Sequence, residues 1–405
     1  MMNSKSKVLK TFVCLCSLPL FACAQEQKDE TAYFKDVTST HIPIDPKSHA
    51  LDVALTDFNG DGYLDLVLAL EKEPNRIYLN DGTGKFIWVK GVFADKNHDT
   101  EHVRIGDFDR DASLDVIFVA EDDQNHEYYL GNGDGTFNNV SERLLGKSEA
   151  NGLDIGDVNG DGLPDIVVGN SGEKPANFLW LNDLSQPGYF VDISQEALPK
   201  DLDQTQSVKL VDLDGDGHLD MVIGNEAPPS RIYFNDGKGN FKEREGALKE
   251  EVGLHTREVI AFDANNDGLM DLFFANLTSN AGKRERDPRG RLFINQGDGK
   301  FADETENRIP AYDFSTYAAN VIDYDRDGDL DIILSAIRIP PFEADRVRML
   351  QNDGKGNFTF VTEDVIPAIT VERSWGIAIG DVNNDGIADV VIGAWGGQVR
   401  LLLGK

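Results

Sequence analysis

Seven times along this chain, four oxygen-bearing side chains recur at positions 1, 3, 5 and 9 of a nine-residue loop. The first copy supplies Asp57, Asn59, Asp61 and Asp65, the second Asp107, Asp109, Asp111 and Asp115, and the third Asp157, Asn159, Asp161 and Asp165. The fourth supplies Asp212, Asp214, Asp216 and Asp220, and the fifth Asp263, Asn265, Asp267 and Asp271. The sixth supplies Asp323, Asp325, Asp327 and Asp331, and the seventh Asp381, Asn383, Asp385 and Asp389. An all-oxygen set without sulfur or imidazole suits a hard cation, and calcium takes six to eight such ligands at flexible geometry. Position 6 is Gly in six copies, which permits the positive φ that wraps the ligands round one centre. The second copy has Ala112 there, so its site is expected to be distorted and the weakest. Because the ligands are local and repeat in every copy, the expectation is about seven structural Ca²⁺.

The flanking segments say what holds these loops. An EF-hand starts with a similar pattern but needs a Glu at position 12 and a helix on each side. Here position 9 is Asp, no loop has Glu at position 12, and Leu51, Val53 and Leu55 before the first loop alternate with a period of two, as do Leu64, Leu66 and Leu68 after it. That period marks strands. A second recurrent element follows, R-I-Y-L-N-D-G-T-G-K-F from Arg76 and R-I-Y-F-N-D-G-K-G-N-F from Arg231. It reads as a strand, an Asn-Gly hairpin turn and the Phe that opens another strand. Each repeat is therefore four strands, A to D, with the acidic loop between A and B. Loop starts are spaced by 50, 50, 55, 51, 60 and 58 residues. Four-stranded units at such a period predict an all-β fold, a seven-bladed β-propeller of antiparallel blades. The last repeat stops at Val399–Lys405, which matches strand C and lacks a strand D. Tyr33–Thr38 matches other D strands, so the N-terminal strand is expected to complete the last blade and close the ring.

The repeated D-x-[DN]-x-D-G-x-x-D loop resembles the FG-GAP/VCBS-type repeat, found in integrin α-subunit propellers, bacterial surface and exported proteins, and some propeller lectins. The resemblance covers about residues 32–405, and the bacterial branch is the nearer likeness, since the literal Phe-Gly and Gly-Ala-Pro segments of the integrin version are not evident.

With 71 acidic and 39 basic residues the net charge is −32, which argues against nucleic acid as a partner. Lys5, Lys7 and Lys10 precede an apolar stretch that ends Leu20-Phe21-Ala22-Cys23. This resembles a bacterial lipobox, so residues 1–22 are expected to be a signal peptide, Cys23 the lipidated first residue and 23–31 a short tether, with simple secretion as the alternative. All three cysteines lie in this leader, leaving the mature domain without a disulfide or a thiol nucleophile. The expected location is a bacterial membrane, as a monomer.

In a meandering blade all A–B loops share one rim, and the longer B–C and D–A connections share the other. Binding usually resides on variable loops carried by a rigid scaffold. Two B–C connections stand out: 277–290, with Lys283, Arg284, Arg286 and Arg289, and 338–346, with Pro340, Pro341 and Phe342. Glu101, His102, Arg257, Glu258, Arg373 and Trp375 stand at the starts of inner strands, near the mouth of the axial channel. One reading is a hydrated, ion-paired tunnel. The other is a polar pocket with Trp375 as a stacking platform, receiving a glycan or a protein. No nucleophile motif and no metal-ligand histidine spacing occurs, so the sequence favours a binding module, with a polysaccharide lyase or hydrolase or a purely structural envelope protein as alternatives.

Overall fold

The computed structural model describes residues 32–173, 175–227, 229–244, 246–249, 255–277, 289–339 and 342–405. The leader, Cys23 and the tether lie outside them, as do Lys283, Arg284 and Arg286. Within the described residues every repeat folds into a four-stranded antiparallel blade. In the third, Ala150–Gly156, Asp165–Asn170, Phe178–Asn182 and Phe190–Asp192 pair in sequence order as strands A to D. Strand B is buried along its whole length, with Ile166, Val167 and Val168 in succession. That follows from its position: a neighbouring blade covers each of its faces, so neither face is selected for polarity.

Seven blades bring seven apolar layers, one at each blade-to-blade interface. The layer between the last blade and the first joins Val382, Val391 and Leu401 to Val53, Leu66 and Tyr78. Lys35–Asp36 pairs antiparallel with Arg400–Leu403, in the register Lys35↔Leu403 and Asp36↔Leu402. The N-terminal strand is thus the outer strand of the seventh blade, as expected. A further link ties the inner edges, since Ser48 and His49 at the start of the first blade pair with Gly397 and Trp395.

Two features depart from the sequence reading. The segment expected to be a loop near Phe342 contains Ile337–Arg338 and Glu343–Arg346, which pair with each other. Val371–Glu372 joins them as a third strand. Asp345 holds this small sheet, accepting from Arg338 Nε at 3.1 Å and from Arg348 Nη2 at 3.0 Å. Short helical turns also follow several D strands, such as Ser194–Ala197 and Thr362–Val365. Their first hydroxyl accepts the N–H of a strand C residue: Ser194 Oγ from Leu179 at 2.8 Å and Thr362 Oγ1 from Met349 at 3.0 Å. A single turn this short is held by that local bond rather than by helix propensity.

Candidate functional site

The seven acidic loops all lie between strands A and B and share one rim. Their geometry repeats closely. The position 1 carboxylate accepts the N–H of position 6 at 2.7–3.2 Å in every loop. Position 5 accepts the N–H of position 7 at 2.7–2.9 Å. The position 9 Asp is buried and bridges the blade. One oxygen accepts the N–H of position 2 at 2.9–3.4 Å, and the other accepts an N–H at the end of strand C at 2.7–2.9 Å.

These loops carry more negative charge than their amides offset. Where position 3 is Asp, the carboxylates of positions 1, 3 and 9 gather within 4.8 Å of one another, in Asp107/Asp109/Asp115, Asp212/Asp214/Asp220 and Asp323/Asp325/Asp331. Burial, with the neighbouring loop aspartates adding, pushes Asp115 and Asp331 up to about 7 despite their backbone hydrogen bonds. Asp214 Oδ1 and Asp323 Oδ1 are buried without a hydrogen-bond partner. Convergent carboxylates and orphaned buried oxygens fit a hard divalent cation.

The second loop keeps the common backbone path. Ala112 stands at φ +71°, against +83° to +93° for the glycines of the other six loops, and still donates to Asp107 at 3.1 Å. The expected distortion is absent, and the cost is conformational. A left-handed residue with a Cβ costs about 1–2 kcal/mol, and glycine returns roughly half of that as unfolded-state entropy. Ala112→Gly is therefore expected to raise stability by about 0.5–1 kcal/mol, read as a higher urea midpoint at unchanged slope. A midpoint that stays or falls would show that the loop carries no such strain.

The opposite end of the axial channel is built differently. Each inner strand starts there, and all seven blades contribute. Asp52, His102, Asn151, Gln206, Arg257, Tyr317 and Trp375 line one mouth. Beneath it the channel widens to a cavity of about 220 Å³, lined by Arg104, Lys209, Glu258 and Asn320 among others. Of the sequence-predicted residues, His102, Arg257 and Trp375 come together here, in different states, while Arg373 stands beside them on the rim, against Phe342 and Trp395. His102 is spent on the wall, with Nε2 at 2.8 Å from the Asn151 carbonyl and Nδ1 at 3.2 Å from Asp52 Oδ2. Arg104 bonds Asp52 at 2.9 Å and lies 3.6 Å from Asp154, which Lys209 meets at 3.2 Å. Burial pushes the Asp52 carboxyl up, but His102 and Arg104 outweigh it and hold it below its ordinary value. Burial raises Glu258 to about 7 and Glu101 well above the usual carboxylate range. The ion-paired tunnel is real, and it runs below the mouth.

At the rim an aromatic cluster takes over. Trp375 lies 3.7 Å from Tyr317, 6.1 Å from Phe342 and 6.2 Å from Trp395, centroid to centroid. Trp375 and Trp395 are half-buried. The sequence reading missed Tyr317 and Trp395, and singled out Phe342 only as part of the 338–346 connection. Trp395 carried one available signal, because it lies near the end of the last B strand, at the position that Glu71 holds in the first. Arg289 departs from its expected place in an exposed patch: it is buried, with Nη1 donating to the Ile309 carbonyl at 3.0 Å. Among the described residues no helix is long and apolar enough to cross a membrane.

Cartilage acidic protein 1 of Xenopus tropicalis is 26% identical over 330 residues, covering 72% of this chain and 49% of that protein. The Mus musculus protein of the same name is 32% identical over 194 residues, covering 45% and 28%. A T-cell immunomodulatory protein homolog of Plasmodium yoelii yoelii is 24% identical over 247 residues, covering 55% and 29%. The chain thus spans half or less of the length of these curated relatives. The crystal structure of BBS1N in complex with ARL6DN superposes at a TM-score of 0.58 with 10% identity, covering 92% of this chain and 98% of that one, a likeness of fold alone. The model of the FG-GAP-like repeat matches residues 57–118, 114–168, 157–223, 212–274, 263–334 and 339–392, the same segments that carry the acidic loops and their blades, and the chain belongs to that repeat family.

Proposed function

We propose that this protein is a calcium-stabilised recognition module, held at a bacterial cell envelope by a lipid on Cys23, that binds a glycan or a protein at the channel mouth opposite the acidic loops. The observation that carries this reading is the asymmetry of the two ends. The loop end repeats one arrangement seven times, as a scaffold does. The mouth receives a different side chain from each blade, and a half-buried tryptophan stands among them. Amphipathic aromatic groups beside charged ones are what binding sites concentrate.

A polysaccharide-active enzyme is the second reading, since His102, Arg257 and Tyr317 share the mouth. His102 has both ring nitrogens engaged in the wall, which leaves it poorly placed as a base and favours binding. A glycan array probed with calcium-loaded protein, followed by a degradation screen on each hit, separates the two. Binding without turnover is expected. Trp375→Ala and Arg257→Ala should each cost about 1–3 kcal/mol of affinity at unchanged melting temperature. A ligand indifferent to both changes but lost with Asp263→Ala in a folded protein would move the site to the loops.

Anchoring has its own test. Cys23→Ser should release the protein from membranes and abolish labelling by a radioactive fatty acid. Unlabelled wild-type protein beginning at Gln25 would establish ordinary secretion instead.

A further inference from the structure

The channel and its mouth hold four cations, Arg104, Lys209, Arg257 and Arg373, in a protein that carries −32 overall. The carboxylates around them are Asp52, Glu101, Asp154 and Glu258 along the channel, with Glu71 and Glu121 at the rim bonded by Trp395 and by Asn151. Asp52 and Asp154 are consumed by Arg104 and Lys209. Burial favours the neutral form of Glu101. Glu258 accepts the Ala319 N–H at 2.8 Å and closes no ion pair among the described residues. Arg257 and Arg373 are the cations left without a carboxylate partner.

Arg257 and Arg373 combine partial burial with the absence of a carboxylate partner among the described residues. Nine other arginines pair with a carboxylate. Arg257 instead reaches the Gln206 amide oxygen and lies over the Tyr317 ring at 5.4 Å. Glu101 is near enough to feel its charge but closes no ion pair with it. The Arg373 guanidinium makes no hydrogen bond among the described residues and lies 5.4 Å from the centre of Phe342 and 5.2 Å from that of Trp395. Both arginines are half-buried. A guanidinium stripped of part of its water, stacked on aromatic faces and left without an anion has its planar fork of donors free for a carboxylate from outside.

We propose that the mouth receives an acidic sugar unit, its carboxylate taken by Arg257 in the opening, its ring face set against Trp375, and Arg373 flanking it on the aromatic rim. This rests on the mouth being the recognition site. The opening itself is a cavity of about 30 Å³, room for a carboxylate-sized head but not for a ring, so the ring stays on the aromatic rim. A larger hollow of about 890 Å³ lies on the outer seam near Lys35 and Ile369. It is flanked by Arg400, whose guanidinium is already paired with Asp36 and Glu372, and so offers no such fork.

The test is calorimetric titration of the calcium-loaded full chain with a hyaluronan tetrasaccharide and with its methyl ester, which keeps the rings and loses the charge. The acid should bind roughly ten- to a hundredfold more tightly than the ester. Arg257→Ala and Arg373→Ala should each lose roughly tenfold or more, while Arg244→Ala, at the far rim, changes nothing. Equal binding of acid and ester at a site sensitive to Trp375→Ala would overturn the anion assignment and leave the mouth as the site. Acid binding that survives all three mouth variants but is lost with Asp263→Ala in a folded protein would overturn the mouth itself. Failure of both sugars, with binding of a peptide through its C-terminal carboxylate, would make the partner a protein and sink the sugar assignment.

Discussion

A chain lacking Tyr33–Thr38 is expected to aggregate rather than to fold with a slightly lowered melting temperature. Phe34 is fully buried in the layer between the sixth and seventh blades, against Ile333, Met349 and Leu402. Val37 lies in the next layer, between the seventh and the first. Six residues therefore seal two interfaces. Their main chain is also committed, with Phe34 N donating to Val365 O at 3.0 Å and Val37 N to Leu401 O at 3.1 Å. Thr38 Oγ1 accepts from Leu401 N at 3.0 Å, and Asp36 meets Arg400 at 2.8 Å. Truncating one buried Phe costs about 3–5 kcal/mol, while a whole domain is stable by about 5–15 kcal/mol. The deletion removes that Phe, a second apolar anchor and several hydrogen bonds, and it bares Arg400–Leu403 as a sheet edge open to other chains. Phe34→Ala gives the graded version, a loss of about 3–5 kcal/mol by urea denaturation. A soluble, monomeric deletion variant with the wild-type melting temperature would refute the role given to this strand.

That strand was legible because the pattern it completes is local and repeated. The acidic loops, the strand alternation and the Asn-Gly turns each fit within a dozen residues, and seven copies average out the noise in any one. Features whose partner lies in another blade were not legible. The turn asparagine shows why. The motif reads as hairpin chemistry, yet Asn80 Nδ2 donates to Val382 O across the ring closure, and Asn182 to Phe108 O, Asn235 to Val158 O, Asn295 to Leu213 O and Asn352 to Ala264 O, all at 2.7–2.9 Å. The residue clasps the preceding blade's acidic loop. Gly131 replaces it in the second blade, where Gly135 N donates to Phe58 O at 3.2 Å instead. The mouth was half legible for the same reason. Inner-strand starts could be found by counting back from each loop, so Arg257 and Trp375 were found. Tyr317 stands at the same offset, six residues before Asp323, so the same count points to it although the sequence reading did not single it out. Trp395 was not legible, because its approach to Trp375 depends on how strands of different blades lean together.

Withdrawing calcium is expected to cost the fold several kcal/mol, and so to lower its melting temperature by many degrees. Taking the metal to be calcium follows the proposal above, and the sign follows from the charge. Each loop concentrates carboxylates that in three blades lie within 4.8 Å of one another. In loops 4 and 6, Asp214 Oδ1 and Asp323 Oδ1 are buried with no hydrogen bond. A cation that binds only the folded loop stabilises it by about 2.7 kcal/mol per site at a hundred times its Kd. Extracellular calcium modules commonly bind at about 10⁻⁴–10⁻³ M, so millimolar calcium leaves each site below that limit. At roughly 0.4–1.4 kcal/mol per site, seven sites would together contribute about 3–10 kcal/mol, comparable with the stability of a typical domain. Chelator should therefore shift the melting transition strongly downward, calcium should restore it, and magnesium, which demands tighter octahedral geometry, should restore it poorly. Asp263→Ala should remove about one site's share of the calcium-dependent gain and leave the rest. Fewer than about four ions bound at millimolar calcium would contradict the repeat, which offers the same oxygen set in every blade. A melting temperature indifferent to chelator would mean that the backbone amides already offset the carboxylates. In that case the orphaned oxygens of Asp214 and Asp323 would have to be satisfied by water or by protonation.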